Sequence, residues 1–177
     1  MLIIPIVGNV LVPLAGLRWP AIGWVSAQFG LGLFLWPLVV GLLLTRLLQV
    51  GPLPARMTPT LFILVAPPSA IGLALLQWAA HPVLAWACWG VALMSLLWAL
   101  SQWRLIMSLP FGMPHWGMSF PLAAFSALCL RLGQLPEGQW LALPGQVVLW
   151  LTTAVIVWLS GKSVQGLLDG RLLQPEG

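Results

Sequence analysis

Few side chains in this 177-residue chain could carry acid–base, nucleophilic or metal chemistry. There are three acids (Glu137, Asp169, Glu176), two histidines (His81, His115) and two cysteines (Cys88, Cys129). Paired carboxylates would serve as general acid and base. All three acids, however, fall in a connecting loop or in the C-terminal tail. A nucleophile needs a base brought to it. Both histidines stand beside prolines at the ends of apolar runs, where an interfacial or capping role is the simplest reading. The cysteines lie deep inside apolar runs with no CxxC partner, which predicts buried thiols rather than a disulfide or metal site. No Gly-rich phosphate loop or metal-ligand spacing is present. The expectation is no catalytic residue, no metal, no cofactor and no enzyme activity.

The elements around these residues are set by composition. Sixty per cent of the chain is hydrophobic and 6% is charged, against about 25% charged in an ordinary soluble domain. Seven Lys+Arg and three Asp+Glu cannot clothe a water-soluble surface. Nor do the basic residues form the stripe that neutralises adjacent phosphates, so nucleic acid is not an expected partner. The expected solvent is a lipid bilayer, crossed by runs of ~20 apolar residues. Six runs are read, at about 1–17, 20–49, 59–80, 82–108, 116–134 and 140–161. They form one transmembrane domain over 1–164, in three hairpins at about 1–50, 58–108 and 115–162, with a tail over 165–177. Pro- and Gly-rich breaks separate the runs. No cleavable signal peptide is visible. Several of the twelve tryptophans fall near run ends, as an aromatic belt requires. Five basic residues (Arg46, Arg56, Arg104, Lys162, Arg171) fall on the side of the C-terminus and two (Arg18, Arg131) on the other. That bias predicts a cytoplasmic C-terminus.

The chain also repeats. Pro13, Pro67 and Pro121 are separated by 54 residues each time, one in each odd-numbered run. Among the even runs only Pro37 lies well inside. Fixed-period similarity indicates a repeat architecture, here a proline-kinked helix, a turn and a straighter helix. A proline frees the carbonyl four residues upstream. In lipid that is tolerated where neighbouring helices or a water-filled cavity satisfy it. Kinked helices should therefore face inward and straighter ones face lipid. The inner runs offer Asn9, Ser69, Ser119 and Ser126 but no carboxylate, which disfavours a cation path or a carboxylate proton relay. Backbone groups and small hydroxyls without negative side chains suit anions.

Several stretches together resemble the tellurite-resistance/dicarboxylate transporter family, which includes TehA-like bacterial proteins and the plant slow anion channels. They are PIVGNVLVPLAG at 5–16, PLPARMTPTLFILVAPPSAIG at 52–72, HWGMSFPLAAF at 115–125 and GLLDGRLLQPE at 166–176. The resemblance implies an all-α integral membrane fold of ten helices in five hairpins, with odd helices around a central pore and a phenylalanine plugging it. The matching pattern here is Trp116, Ser119, Phe120, Pro121, which makes Phe120 the gate. Pro13, Pro67, Pro121, Asn9, Ser69 and Ser119 become candidate pore-lining or kink residues. The resemblance covers only the last six of ten helices, and three-fifths of a ring cannot enclose a pore. The chain is therefore expected to be part of a longer protein. The resemblance further implies a homotrimer in a bacterial inner membrane. The expected function is passive passage of small anions or oxyanions (tellurite, dicarboxylate or chloride-like). Alternatives are a proton-coupled C4-dicarboxylate or sulfite transporter of the same fold, or a non-functional truncated remnant.

Overall fold

A computed structural model describes residues 3–16, 22–78 and 82–169. Arg18, His81, Arg171 and most of the tail lie outside the described residues. Every regular element within them is helical. The first hairpin is α1 (Ile3–Gly16) and α2 (Ile22–Val50). The second starts with a 3₁₀ segment, Ala55–Val65, that runs into α3 (Ala66–Gln77). It returns through α4 (Pro82–Ser101), interrupted at Gln102, and α5 (Trp103–Ser108). The third begins with a 3₁₀ segment, Met113–Met118, continuing as α6 (Ser119–Leu132). It returns through a short 3₁₀ turn, Pro136–Leu141, into α7 (Ala142–Leu168). That helix runs past residue 164, where the sequence sets the tail. Four of these helical stretches are long and apolar enough to cross a membrane.

The returning helices are apolar on almost every side, and the packing shows why. Only 6%, 22% and 17% of the apolar windows of the second, fourth and sixth stretches are buried within the protein, against 72% for Ala55–Gln77. Leu48, Leu97, Trp150 and Val157 are all exposed. In water such surfaces would drive aggregation; in a bilayer they face hydrocarbon. The odd-numbered stretches form the interior. Ile6 and Val10 of α1, Ala70 and Ala74 of α3, and Phe125 and Leu128 of α6 are buried. The membrane fold is thus all-α, with repeated hairpins, inner helices enclosed by the protein and outer helices left to lipid.

Each inner helix, α1, α3 and α6, packs most closely on its own hairpin partner. Among the inner helices, α3 packs against both α1 and α6, while α1 and α6 are not packed side by side. The inner helices therefore form an arc with α3 at its centre. The second hairpin is entered at Gly51, whose φ of 91° is the left-handed conformation that glycine adopts without strain. Its N–H donates to the Leu47 carbonyl at 3.1 Å, which ends α2.

The repeat prolines sit where the winding changes. Pro13 lies inside α1. Pro67 and Pro121 fall instead in the first turn of α3 and α6, immediately after the 3₁₀ segments. There a missing N–H costs little. Pro67 cannot donate to the Ile63 carbonyl, and the Ala66 N–H bonds it in the shorter 3₁₀ pattern. The carbonyl that the sequence expects to be freed is thus satisfied locally.

Candidate functional site

A cavity of 630 Å³ opens along the inside of the arc, and all of its walls come from α1 and the two proline-marked stretches. The way each stretch presents its wall follows from its winding. A 3₁₀ helix has 3.0 residues per turn, so positions i, i+3 and i+6 form one straight row. Thr60, Ile63 and Ala66 line the cavity from the second hairpin, and Pro114, Gly117 and Phe120 from the third. These two triplets are 54-residue counterparts of one another. From α1 the wall is Val7, Gly8 and Leu11, the spacing of an α-helical face. Met113, Trp116 and Pro121 complete it.

Phe120 is 42% exposed, and it is exposed into this cavity. Its repeat counterpart on the same wall is Ala66, so one of the two equivalent rows carries a bulky ring and the other a methyl group. Gly117 stands one 3₁₀ turn before Phe120, and a side chain there would meet Ile63 of the facing row at 3.4 Å. The wall is mostly hydrocarbon. The Thr60 hydroxyl, on this wall, donates to the Met57 carbonyl at 2.6 Å. The Trp116 ring is fixed from behind, its Nε1–H donating to Ser163 Oγ of α7 at 3.0 Å.

Of the residues singled out in the sequence, the cavity brings together Trp116, Phe120 and Pro121. The others lie elsewhere. Pro13 and Pro67 are buried in the helix packing. Ser69 is fully buried and donates to the Val65 carbonyl at 2.7 Å. Ser119 donates to the Trp116 carbonyl at 2.8 Å. Asn9 is half-buried on the side of α1 that meets α2, where its Cβ is 3.4 Å from the position a Cβ would take at Gly32. Ser126 donates to the Gly145 carbonyl at 3.1 Å. The sequence points to prolines and polar groups on the inner runs, and so it does not single out Thr60, Ile63, Ala66 and Gly117. The signal that would have found them is the 54-residue repeat read at every third position.

Neither Glu137 nor Asp169, the described acids, lines the cavity. No cluster of metal-ligating side chains exists among the described residues. The cavity wall carries no ionised side chain, so no fixed negative charge on it opposes an anion.

A sequence model of the SLAC1 family, described as voltage-dependent anion channel, matches residues 1–163. The chain belongs to that family. No curated protein and no solved structure matches it. Membership in the SLAC1 family makes this an integral membrane protein of an anion channel and transporter class, not of an enzyme class. It also agrees with the lipid-facing surfaces of α2, α4 and α7 and with the carboxylate-free inner wall.

Proposed function

We propose that the protein lets small anions pass down their gradient along the inner face of the arc, with Phe120 as the plug. The observation that carries this reading is the cavity walled only by the odd-numbered stretches, with the Phe120 ring exposed into it. A bulky apolar side chain at a narrow point excludes ions both sterically and by dewetting. Pro121 holds the ring at the junction of the two windings. Pro13 and Pro67 shape the wall from behind. The smooth apolar lining and the lack of an inward-facing carboxylate favour passive flow over proton coupling.

The arc is open on the side away from α3. A closed lumen then draws its remaining wall from further helices, whether from the same polypeptide or a neighbouring copy, and a trimer of such pores is the assembly we favour. The excess of basic residues on the side of the C-terminus supports a cytoplasmic C-terminus in a bacterial inner membrane. Chloride-like ions, tellurite and dicarboxylates are the candidate solutes.

The test is anion flux into proteoliposomes containing the full protein. Phe120→Ala should raise the flux several-fold, and Phe120→Trp should not. Linear dependence on anion concentration, indifferent to a pH gradient, is the expected behaviour. Saturable uptake driven by a proton gradient would instead establish coupled transport. Unchanged flux in a well-folded Phe120→Ala protein would remove Phe120 as the plug.

A further inference from the structure

The repeat places a second kind of site on the outside of the arc, where one hairpin meets the next. Two notches occupy corresponding positions. One, of 130 Å³, lies between the first and second hairpins and is lined by Pro52, Leu53 and Leu61 among others. The other, of 240 Å³, lies between the second and third and is lined at the counterpart positions by Ile106, Met107 and His115. Adding 54 to 52, 53 and 61 gives 106, 107 and 115. The architecture of the hairpin seam therefore produces a notch by itself. What differs is the chemistry.

In the larger notch a histidine replaces Leu61, and Lys162 of α7 joins the lining. The residue one repeat before Lys162 is Ser108, which does not line the smaller notch. His115 is 97% buried, being 3% exposed. Its Nδ1 lies 3.3 Å from the Gly112 N and 3.1 Å from the Gly112 carbonyl oxygen. Its Nε2 makes no hydrogen bond among the described residues. The ring is gripped by Phe111 and Trp158, with centroids 5.6 Å and 6.4 Å away, and those two rings meet edge-on at 6.0 Å. A leucine would fill such a place at lower cost, because a buried imidazole needs polar partners.

We propose that this notch binds a phosphate group, held by Lys162 and His115 in the notch that Phe111 and Trp158 also line. When Nδ1 accepts from the Gly112 N–H, the neutral imidazole carries its proton on Nε2, and that proton is free to donate to a phosphate oxygen. Lys162 supplies a point charge and up to three further donors, the usual way lysine engages phosphate. The level in the membrane fits. Lys162 is 20 residues beyond the start of α7 at Ala142, about 30 Å along a helix axis and close to one hydrocarbon thickness. The notch therefore opens at headgroup depth, where a lipid phosphate and a free phosphate ion are both present. Occupancy joins two elements that also meet through Trp116 and Ser163, each the immediate chain neighbour of a ligating residue.

The experiment uses the full protein in non-ionic detergent at low ionic strength. Binding is followed for dihexanoyl phosphatidic acid and, separately, for inorganic phosphate. Saturable binding of phosphatidic acid that Lys162→Gln weakens about tenfold or more, and that His115→Leu also weakens, identifies a lipid headgroup site. The same pattern with inorganic phosphate at equal affinity identifies a free-anion site. Arg56→Gln, on the same side but outside the notch, should leave either binding unchanged. The proposal is overturned if Lys162→Gln binds within twofold of the parent protein. It is equally overturned if Arg56→Gln loses as much as Lys162→Gln, because the effect would then be general charge attraction. Should His115→Leu fail to fold, Lys162→Gln decides the matter alone, since Lys162 is exposed on α7.

Discussion

Ser126 is fully buried on α6, and its hydroxyl bridges to the Gly145 carbonyl of α7 at 3.1 Å. The bond exists because residue 145 has no side chain; a Cβ there would come within 3.1 Å of the Cys129 Cβ and of the Leu130 side chain. Small residues at a helix seam let backbones approach closely, and hydroxyls then bond across it. Two substitutions separate these contributions. Ser126→Ala should cost only about 0.6 kcal/mol, the mean for such bonds in a membrane protein. Gly145→Val should cost more, about 1–3 kcal/mol, because it overpacks a tight seam. Unfolding in detergent with increasing SDS would measure both. The sequence shows Ser126 as a polar group on an inner helix, a candidate for the anion path. It cannot show that the hydroxyl already has a partner, because that partner lies 19 residues away on another helix. The same limit applies to His115. A histidine beside a proline at the end of an apolar run reads as an interfacial or capping residue, and its Nδ1 does contact the Gly112 backbone. Only the fold brings Phe111, Trp158 and Lys162 around its other side.

At the scale of the helix, the alternation of inner and outer stretches was legible in three prolines at a period of 54. Lipid offers no partner for a broken backbone ladder, so prolines concentrate where protein surrounds the helix. The change of winding was not legible. An α-helix and a 3₁₀ helix share nearly the same backbone dihedrals, and an apolar run such as TLFILV carries no local sign of which will form. The deciding features are Pro59 within the segment and Pro67 and Pro68 just beyond it, which withhold donors from the α-helical ladder. Replacing Pro67 and Pro68 together with alanine restores two N–H groups. α3 should then extend upstream, and the straight row of Thr60, Ile63 and Ala66 should turn away from the cavity by the difference between 3.0 and 3.6 residues per turn. Slower amide exchange over residues 60–66, together with loss of reagent access to a cysteine placed at Thr60, would report that change. Unchanged access would mean that tertiary packing, not proline, sets the winding.

For the whole molecule, two environments replace the usual inside and outside. Nitroxide labels at Leu97 and Val157 should collide mainly with dissolved oxygen, as in hydrocarbon, because both positions are exposed on outer helices. A label at Thr60 should collide mainly with a water-soluble nickel reagent, because it lines the cavity. Equal oxygen exposure at all three sites would mean that the inner wall is also bathed in lipid. The membrane class, the hairpins and the inner–outer alternation could all be read from composition and period. The arc's order, with α3 between α1 and α6, could not, because it depends on which hairpins pack together. The long 3₁₀ segment has a consequence for reach. Its 11 residues rise about 22 Å at 2.0 Å each, where an α-helix would cover about 16 Å. The inner span thus draws several ångströms of its height from overwinding rather than from extra residues. Hydrophobic thickness and wall alignment become one variable. A bilayer that favours a shorter span favours the rewound segment, and in rewinding, the row facing Phe120 turns out of register.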